Sequence, residues 1–299
     1  MELQWPLILF TTFVAWSAGL FGAQGAAALA GEGRRAQMPA LIGSAALLAV
    51  GGIAVFFHLE HWERIFNGFG NPTSGITQEL ACIVVVGVLM VVAFVMLRRG
   101  AGDGAAAGAA NGEAGRAAGD DGAPALPKWL AALMIAAAAL LVLVTGHSYM
   151  MAARPAWDSP LGPLTFAVIE AARGEAAGRA IALFSLIGSI ANLAASVAYL
   201  AFMEMASASY TDVGFYYDPT HPTAGMVDVA ALSPFAGESV AMVAVAVVAA
   251  AVPVAAALVG RKTGNWKAWG AAGALGAVVG AVALRMAFYS AGASVYLFY

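Results

Sequence analysis

Seven strongly apolar segments constrain this chain more than any other feature of its sequence. Each is about 20 residues long or longer, which is enough to cross the roughly 30 Å hydrocarbon core of a bilayer as an α-helix. They cover residues 5–29, 39–58, 78–97, 128–149, 180–203, 236–259 and 268–291. The chain is 62% hydrophobic and 10% charged, whereas soluble domains average roughly 45–50% apolar and 25% charged residues. The sequence therefore predicts an all-α, polytopic transmembrane helix bundle in a lipid bilayer.

The segment at about 99–127 separates the third and fourth apolar segments and differs from them in composition. It is rich in Gly and Ala with scattered charges, and such a segment cannot bury a hydrophobic core. We predict a flexible cytoplasmic linker there, within a single integral membrane domain that covers residues 1–299. The first apolar segment follows no basic region or small-residue cleavage site, so we expect that span to be retained.

The distribution of Lys and Arg predicts an eighth span that hydropathy alone would reject. Residues 161–176 form a short apolar segment that is interrupted by charged residues. Cytoplasmic loops collect basic residues, but a seven-span topology gives no bias between the two sides. With eight spans and both termini extracytoplasmic, only Arg64 and Arg154 among the basic loop residues lie outside. We therefore predict eight spans, of which the fifth is short, tilted or broken.

Ionisable residues gather at one level of this predicted bundle, the outer membrane surface. The stretch from Phe56 to Leu80, which joins the second and third spans, alone holds two of the four His residues of the chain. Ionisable groups inside a bilayer are costly and usually mark a pathway or a binding site. Arg285, inside the last span, needs a partner, and Glu238 is a plausible one. The candidate site residues are His58, Arg64, Glu79, His147, Glu238, Arg285 and Tyr289.

Several classes of site have no signal in the sequence. The one cysteine, Cys82, excludes an intramolecular disulfide and an iron–sulfur cluster held by this chain alone. We find no zinc pair at helical spacing, no phosphate-binding Gly loop and no nucleophile elbow. We therefore expect no metal site, and the lack of a basic patch argues against a nucleic-acid partner.

Three motifs, in order along the chain, resemble the membrane anchor subunit of dimethyl sulfoxide reductase and related molybdopterin oxidoreductases. In the first, a span ends in His58-Leu59 and is followed by Arg64, Asn67, Ser74 and Glu79. The second is Pro155-Ala-Trp157-Asp-Ser-Pro160, followed by Pro163-Leu-Thr-Phe166. The third is Arg285-Met-Ala-Phe288-Tyr289 in the last span. The resemblance covers nearly the whole chain, although the family usually has Gly in place of Glu60 and an acid in place of Ala281.

The resemblance implies a specific task in anaerobic respiration at the bacterial cytoplasmic (inner) membrane. The anchor would bind and oxidise menaquinol near the outer surface. Electrons would then pass to an iron–sulfur subunit and on to a molybdopterin catalytic subunit. The chain itself would hold no haem and no iron–sulfur cluster. The loop after His58 would carry the docking surface, with Glu60, His61 and Trp62 as its contact residues.

The candidate residues also suit this chemistry on independent grounds. Oxidation of a quinol removes two electrons and two protons, so the site needs a proton acceptor that works near neutral pH. His58 is the candidate for that acceptor, and Glu79 is the candidate orienting group or proton relay. Arg64 and Arg285 would stabilise negative charge that develops on the quinol oxygen.

Two alternative functions remain open from the sequence. His147, a further candidate for the quinol pocket, could instead join His58 as an axial ligand of one haem b in a quinol-oxidising anchor. A small-molecule transporter is the other alternative. Transporters often show internal repeats and charged residues near the bilayer midplane, whereas here the ionisable residues lie near one surface.

Overall fold

The computed structural model describes residues 4–58, 61, 67, 70–110, 126–150, 154, 156, 179–207, 233–237 and 239–291. Seven long α-helices and no β-strand occur in this part of the chain. They are α1 (Trp5–Ala30), α2 (Gln37–Phe56), α3 (Gly75–Ala110), α4 (Lys128–Ser148), α5 (Arg179–Ser207), α6 (Ser239–Thr263) and α7 (Trp266–Ser290). All seven are long and apolar enough to span a membrane, which confirms the predicted transmembrane helical fold. The predicted short span at 161–176 lies outside the described residues.

Local sequence signals set several of the helix boundaries. α1 has a proline in its first turn and ends at Gly31, whose φ of 74° is the left-handed conformation that glycine adopts readily. α4 begins directly after Pro127. The short turn between α6 and α7 contains Gly264 with a φ of 70°. Asn265 then caps α7, because its side-chain oxygen accepts a hydrogen bond from the backbone N–H of Ala268.

The cytoplasmic linker predicted at about 99–127 does not begin where its composition changes. α3 continues as a helix to Ala110, well past the end of the apolar segment. Alanine has the highest helix propensity, and extending an existing helix is easier than starting a new one. The rest of that predicted linker, residues 111–125, lies outside the described residues.

Two hydrophobic clusters hold the helices together, and α1 contributes to both. The first cluster joins α1 to α2, α3 and α4, and its fully buried members include Phe21, Val86 and Met134. The second joins the start of α1 to the ends of α5 and α7 and the start of α6, around Tyr199 and Phe288. The position of α1 between the two groups of helices brings residues from opposite ends of the chain together.

Small residues allow α6 and α7 to pack closely as an antiparallel pair. A Cβ atom added at Gly276 would lie 2.6 Å from the Cβ of Val252. At Gly280 it would lie 3.1 Å from the backbone nitrogen of Ala250. Such close approach is the usual role of glycine between membrane helices, where packing replaces the hydrophobic driving force.

The two ends of the bundle differ in chemistry. At one end lie the starts of α1, α3 and α6 and the ends of α2, α4, α5 and α7; we call it the tyrosine end, after Tyr149 and Tyr289. We call the opposite end the basic end. The described basic residues at that end are Arg34, Arg35, Arg98, Arg99, Lys128, Arg179, Arg261, Lys262 and Lys267.

Candidate functional site

Arg285 is a buried cation near the tyrosine end and links α7 to α1. Its side chain is only 4% exposed. Nε donates to the hydroxyl of Thr11 at 3.1 Å, and Nη2 donates to the Thr11 carbonyl at 3.2 Å. Nη1 donates to the carbonyl of Ala281 at 3.3 Å, four residues earlier in α7. These three acceptors are neutral oxygen atoms. The predicted partner, Glu238, lies outside the described residues.

Tyr289 lies one helical turn after Arg285 and meets Tyr149, which directly follows α4. The two phenol oxygens are hydrogen-bonded at 2.9 Å, and the rings meet edge to face with centroids 6.0 Å apart. The hydroxyl of Tyr289 donates this hydrogen bond and the hydroxyl of Tyr149 accepts it, so the contact joins α7 to the end of α4.

Phe288 and Tyr199 form an aromatic wall beside the tyrosine pair. The ring of Phe288 lies 5.6 Å from that of Tyr149 and 6.1 Å from that of Tyr199, measured between centroids. The hydroxyl of Tyr199 donates to the carbonyl of Ala156 at 2.8 Å. Ala156 belongs to the Pro-Ala-Trp motif that contributed to the family resemblance, and the structure brings it to the same end of the bundle as Tyr289.

Glu79 is a buried carboxyl in the second turn of α3, where α3 meets the end of α4. Its side chain is 6% exposed. The two helices touch closely there, because a Cβ atom added at Gly75 would lie 2.7 Å from the Cβ of Ser148. The side chain of Thr145 lies beside the carboxyl group. Among the described residues, Oε1 of Glu79 and the hydroxyl of Thr145 have no hydrogen-bond partner with acceptable geometry.

Glu79 belongs to the same electrostatic environment as the two tyrosines. It lies close enough for its charge to act on the phenols of both Tyr149 and Tyr289. We call the group formed by these side chains and their partners the buried polar cluster. Its members are Thr11, Glu79, Thr145, Tyr149, Arg285 and Tyr289. Residues of α1, α3, α4 and α7 contribute to the cluster. It combines an acceptor that lacks a partner among the described residues with a guanidinium and two phenols, which are groups that can bind a polar ligand.

The other candidate residues occupy different positions. His58 follows α2 directly and His147 lies in the last turn of α4, so both are at the tyrosine end. Both side chains are exposed, as is that of His61, which distinguishes them from the buried cluster. The remaining candidates lie outside the described residues; they are Glu60, Trp62, Arg64 and Glu238.

The sequence identified the ionisable members of the cluster but not its hydroxyl groups. Thr11 was missed because a threonine in an apolar helix can satisfy its own hydroxyl, here by donating to the Leu7 carbonyl at 2.9 Å. Thr145 was missed because nothing in the sequence of an apolar helix shows that its hydroxyl lies beside the carboxyl group of Glu79. The role of Tyr149 depends on its contact with Tyr289, which only the packing of α4 against α7 reveals.

Comparison with protein-family models, curated proteins and solved structures finds no match. Within the described residues, no group of three or more His, Cys, Asp or Glu side chains is placed to hold a metal ion.

Proposed function

We propose that the chain is the membrane anchor subunit of a respiratory molybdopterin oxidoreductase complex of the dimethyl sulfoxide reductase type. It binds and oxidises menaquinol at the tyrosine end, and the electrons pass to an iron–sulfur subunit docked there. The observation that carries the proposal is the buried polar cluster, in which Glu79 of α3 lies at the same end of the bundle as Arg285 and Tyr289 of α7.

The cluster supplies what quinol oxidation requires. Each hydroxyl of the quinol must lose a proton, and Oε1 of Glu79 is an acceptor without a partner among the described residues. The guanidinium of Arg285 can stabilise negative charge on the quinol oxygen as the proton leaves. The phenols of Tyr149 and Tyr289 can hydrogen-bond to the quinol and fix its orientation.

Burial suggests an order for the proton transfers. Glu79 is buried whereas His58 is exposed, so Glu79 takes the proton from the quinol first. His58, at the surface of the same end of the bundle, then passes the proton to water. This order reverses the roles that the sequence alone suggested for the two residues.

The described helices also support eight membrane crossings. α4 and α5 both end at the tyrosine end, because Tyr149 after α4 and Tyr199 in α5 both contact Phe288. A hydrogen bond between Ser233, just before α6, and the carboxylate of Glu204 agrees with this direction of α5. Since α4 and α5 run in the same direction, the chain has to cross the membrane once more between them.

The charge distribution supports an orientation for the whole chain. Basic residues of membrane proteins collect on the cytoplasmic side. The basic end of the bundle would therefore face the cytoplasm and the tyrosine end the extracytoplasmic side. In the proposed complex, the inner membrane of a bacterium would hold the anchor with its iron–sulfur and molybdopterin partners on that outer side.

Purification of the tagged full-length chain from its native membrane tests the proposal. We expect an iron–sulfur protein and a molybdopterin protein in the same particle, and bleaching of the oxidised cluster absorbance when a menaquinol analogue is added. Absence of both partners, or their presence without quinol-dependent reduction, would contradict the proposal. A reducible Soret band in the isolated chain would instead favour the haem b anchor.

A further inference from the structure

A cavity of about 260 Å³ lies at the basic end, far from the buried polar cluster. It opens where α1 ends and α4 begins. Its walls are formed by Ala28, Leu29, Ala30, Gly31, Glu32, Arg34, Gln37, Leu126 and Lys128. It is smaller than the roughly 300–1,000 Å³ typical of pockets for drug-sized ligands. Its size therefore suits a small polar group better than a quinone with its isoprenoid tail.

Gln37 and Glu32 line this cavity, and each has a buried oxygen atom without a donor among the described residues. Gln37 is 2% exposed, and its Nε2 donates to the carbonyl of Gln24 at 3.4 Å while Nε2 of Gln24 donates to the carbonyl of Gln37 at 2.9 Å. These reciprocal bonds fix the orientation of the amide. Among the described residues, Oε1 of Gln37 and Oε2 of Glu32 have no hydrogen-bond partner. Neither atom is accessible to solvent. The carboxylate of Glu32 is the one acidic group among the lining residues, so it attracts a ligand that also carries a positive charge.

Two cationic side chains line the same cavity. Arg34 lies in the turn after α1, and Lys128 is the first residue of α4. A guanidinium and an ammonium group on one cavity are a common arrangement for binding phosphate. The carboxylate of Glu32, which lines the same cavity, would repel a ligand that carries only negative charge. The complementary ligand therefore carries both a phosphate and a primary ammonium group.

The position of the cavity indicates that this ligand is a lipid. The cavity lies at the ends of two membrane-spanning helices, where lipid headgroups are found. Its wall includes Leu29, whose side chain is 40% exposed, so acyl chains can extend along α1 from the cavity. We propose that the cavity binds the headgroup of an aminophospholipid, phosphatidylethanolamine. Its phosphate lies against Arg34 and Lys128, and its ammonium group donates to the carboxylate of Glu32.

Binding of defined lipids to the purified full-length chain tests this assignment. Delipidated protein would be titrated with phosphatidylethanolamine, its N-methyl and N,N-dimethyl forms, phosphatidylcholine and phosphatidylglycerol, and the bound lipid counted by native mass spectrometry. Phosphatidylcholine has no N–H group, so we expect it to bind about 10-fold more weakly than phosphatidylethanolamine, with a stepwise loss on methylation. Equal binding of the four lipids of the methylation series would overturn the proposal.

Substitutions of single residues test whether the preference for phosphatidylethanolamine depends on this cavity. Glu32→Gln keeps the size of the side chain and removes its charge, so the preference for phosphatidylethanolamine over phosphatidylglycerol should disappear. The control Lys262→Gln changes a charge at the same end but outside the cavity and should leave the preference intact. The binding of free phosphoethanolamine is compared with the binding of the lipid. If it binds as tightly as the lipid, the ligand is a soluble compound and the lipid assignment is wrong.

Discussion

Glu79 is the residue on which the proposed chemistry depends most directly. It is buried, and among the described residues its Oε1 has no hydrogen-bond partner. The loss of a general acid or base typically lowers a rate by about 100-fold or more. We therefore expect Glu79→Gln to reduce menaquinol-dependent reduction of the iron–sulfur partner by at least about 100-fold, with the complex still assembled.

Glu204→Gln is the matched control for this variant. Glu204 is a glutamate at the same end of the bundle, but it is exposed and accepts a hydrogen bond from Ser233 outside the cluster. Its substitution should leave the rate within about 2-fold of the wild type, as expected for surface changes. A wild-type rate in an assembled Glu79→Gln complex would remove this carboxyl from the mechanism.

The ionisable residues of the site could be predicted from the sequence because they stand out in apolar segments. Glu79, Arg285 and Tyr289 are all in the buried cluster. The partner of Arg285 within the described residues could not be predicted. Arg285 and Thr11 are separated by 274 positions in the chain, and their contact depends on how α1 packs against α7, which helical periodicity alone does not specify.

The close contact between α6 and α7 predicts that a larger side chain between these helices lowers the stability of the protein. A methyl group added at Gly276 would lie 2.6 Å from Val252 Cβ and 3.0 Å from the carbonyl of Ala249. Overpacking of this kind typically costs about 1–3 kcal/mol. We expect Gly276→Ala to destabilise the purified protein by that amount, measured as a lower midpoint of thermal unfolding in detergent.

Gly87→Ala in α3 is the matched control, because a Cβ atom there meets nothing within 4 Å. Alanine has a higher helix propensity than glycine by about 1 kcal/mol, so this variant should be as stable as the wild type or more stable. If both variants unfold at the same temperature, close packing at Gly276 does not limit the stability of the α6–α7 pair.

Helix positions were more predictable than helix ends. The first apolar segment was predicted at 5–29, and α1 covers Trp5–Ala30, because a membrane span needs both apolar composition and a minimum length. α3 was predicted to end near residue 97 but continues to Ala110. Hydropathy detects the part of a helix that lies in lipid, whereas alanine-rich sequence can extend the helix beyond it.

At the scale of the whole molecule, the sequence predicted which end of the bundle carries each kind of residue. Basic residues at one end and ionisable site residues at the other follow from the positive-inside rule applied to the segments. The arrangement of helices around α1 could not be predicted in this way. It depends on side-chain complementarity between segments of similar composition, such as the contact of Phe21 in α1 with the cluster formed by α2, α3 and α4.

The direction of α5, which is the same as that of α4, predicts the topology of the chain between these two helices. Because α4 and α5 both end at the tyrosine end, we predict that the end of α4 and the start of α5 lie on opposite sides of the membrane. A reporter active only in the cytoplasm should therefore be active when fused after Gly178 and inactive when fused after Met150. A fusion after Gly264, at the basic end between α6 and α7, should be active and is the positive control. Matching signals from the Met150 and Gly178 fusions would mean that the chain does not cross between α4 and α5, and that seven spans suffice.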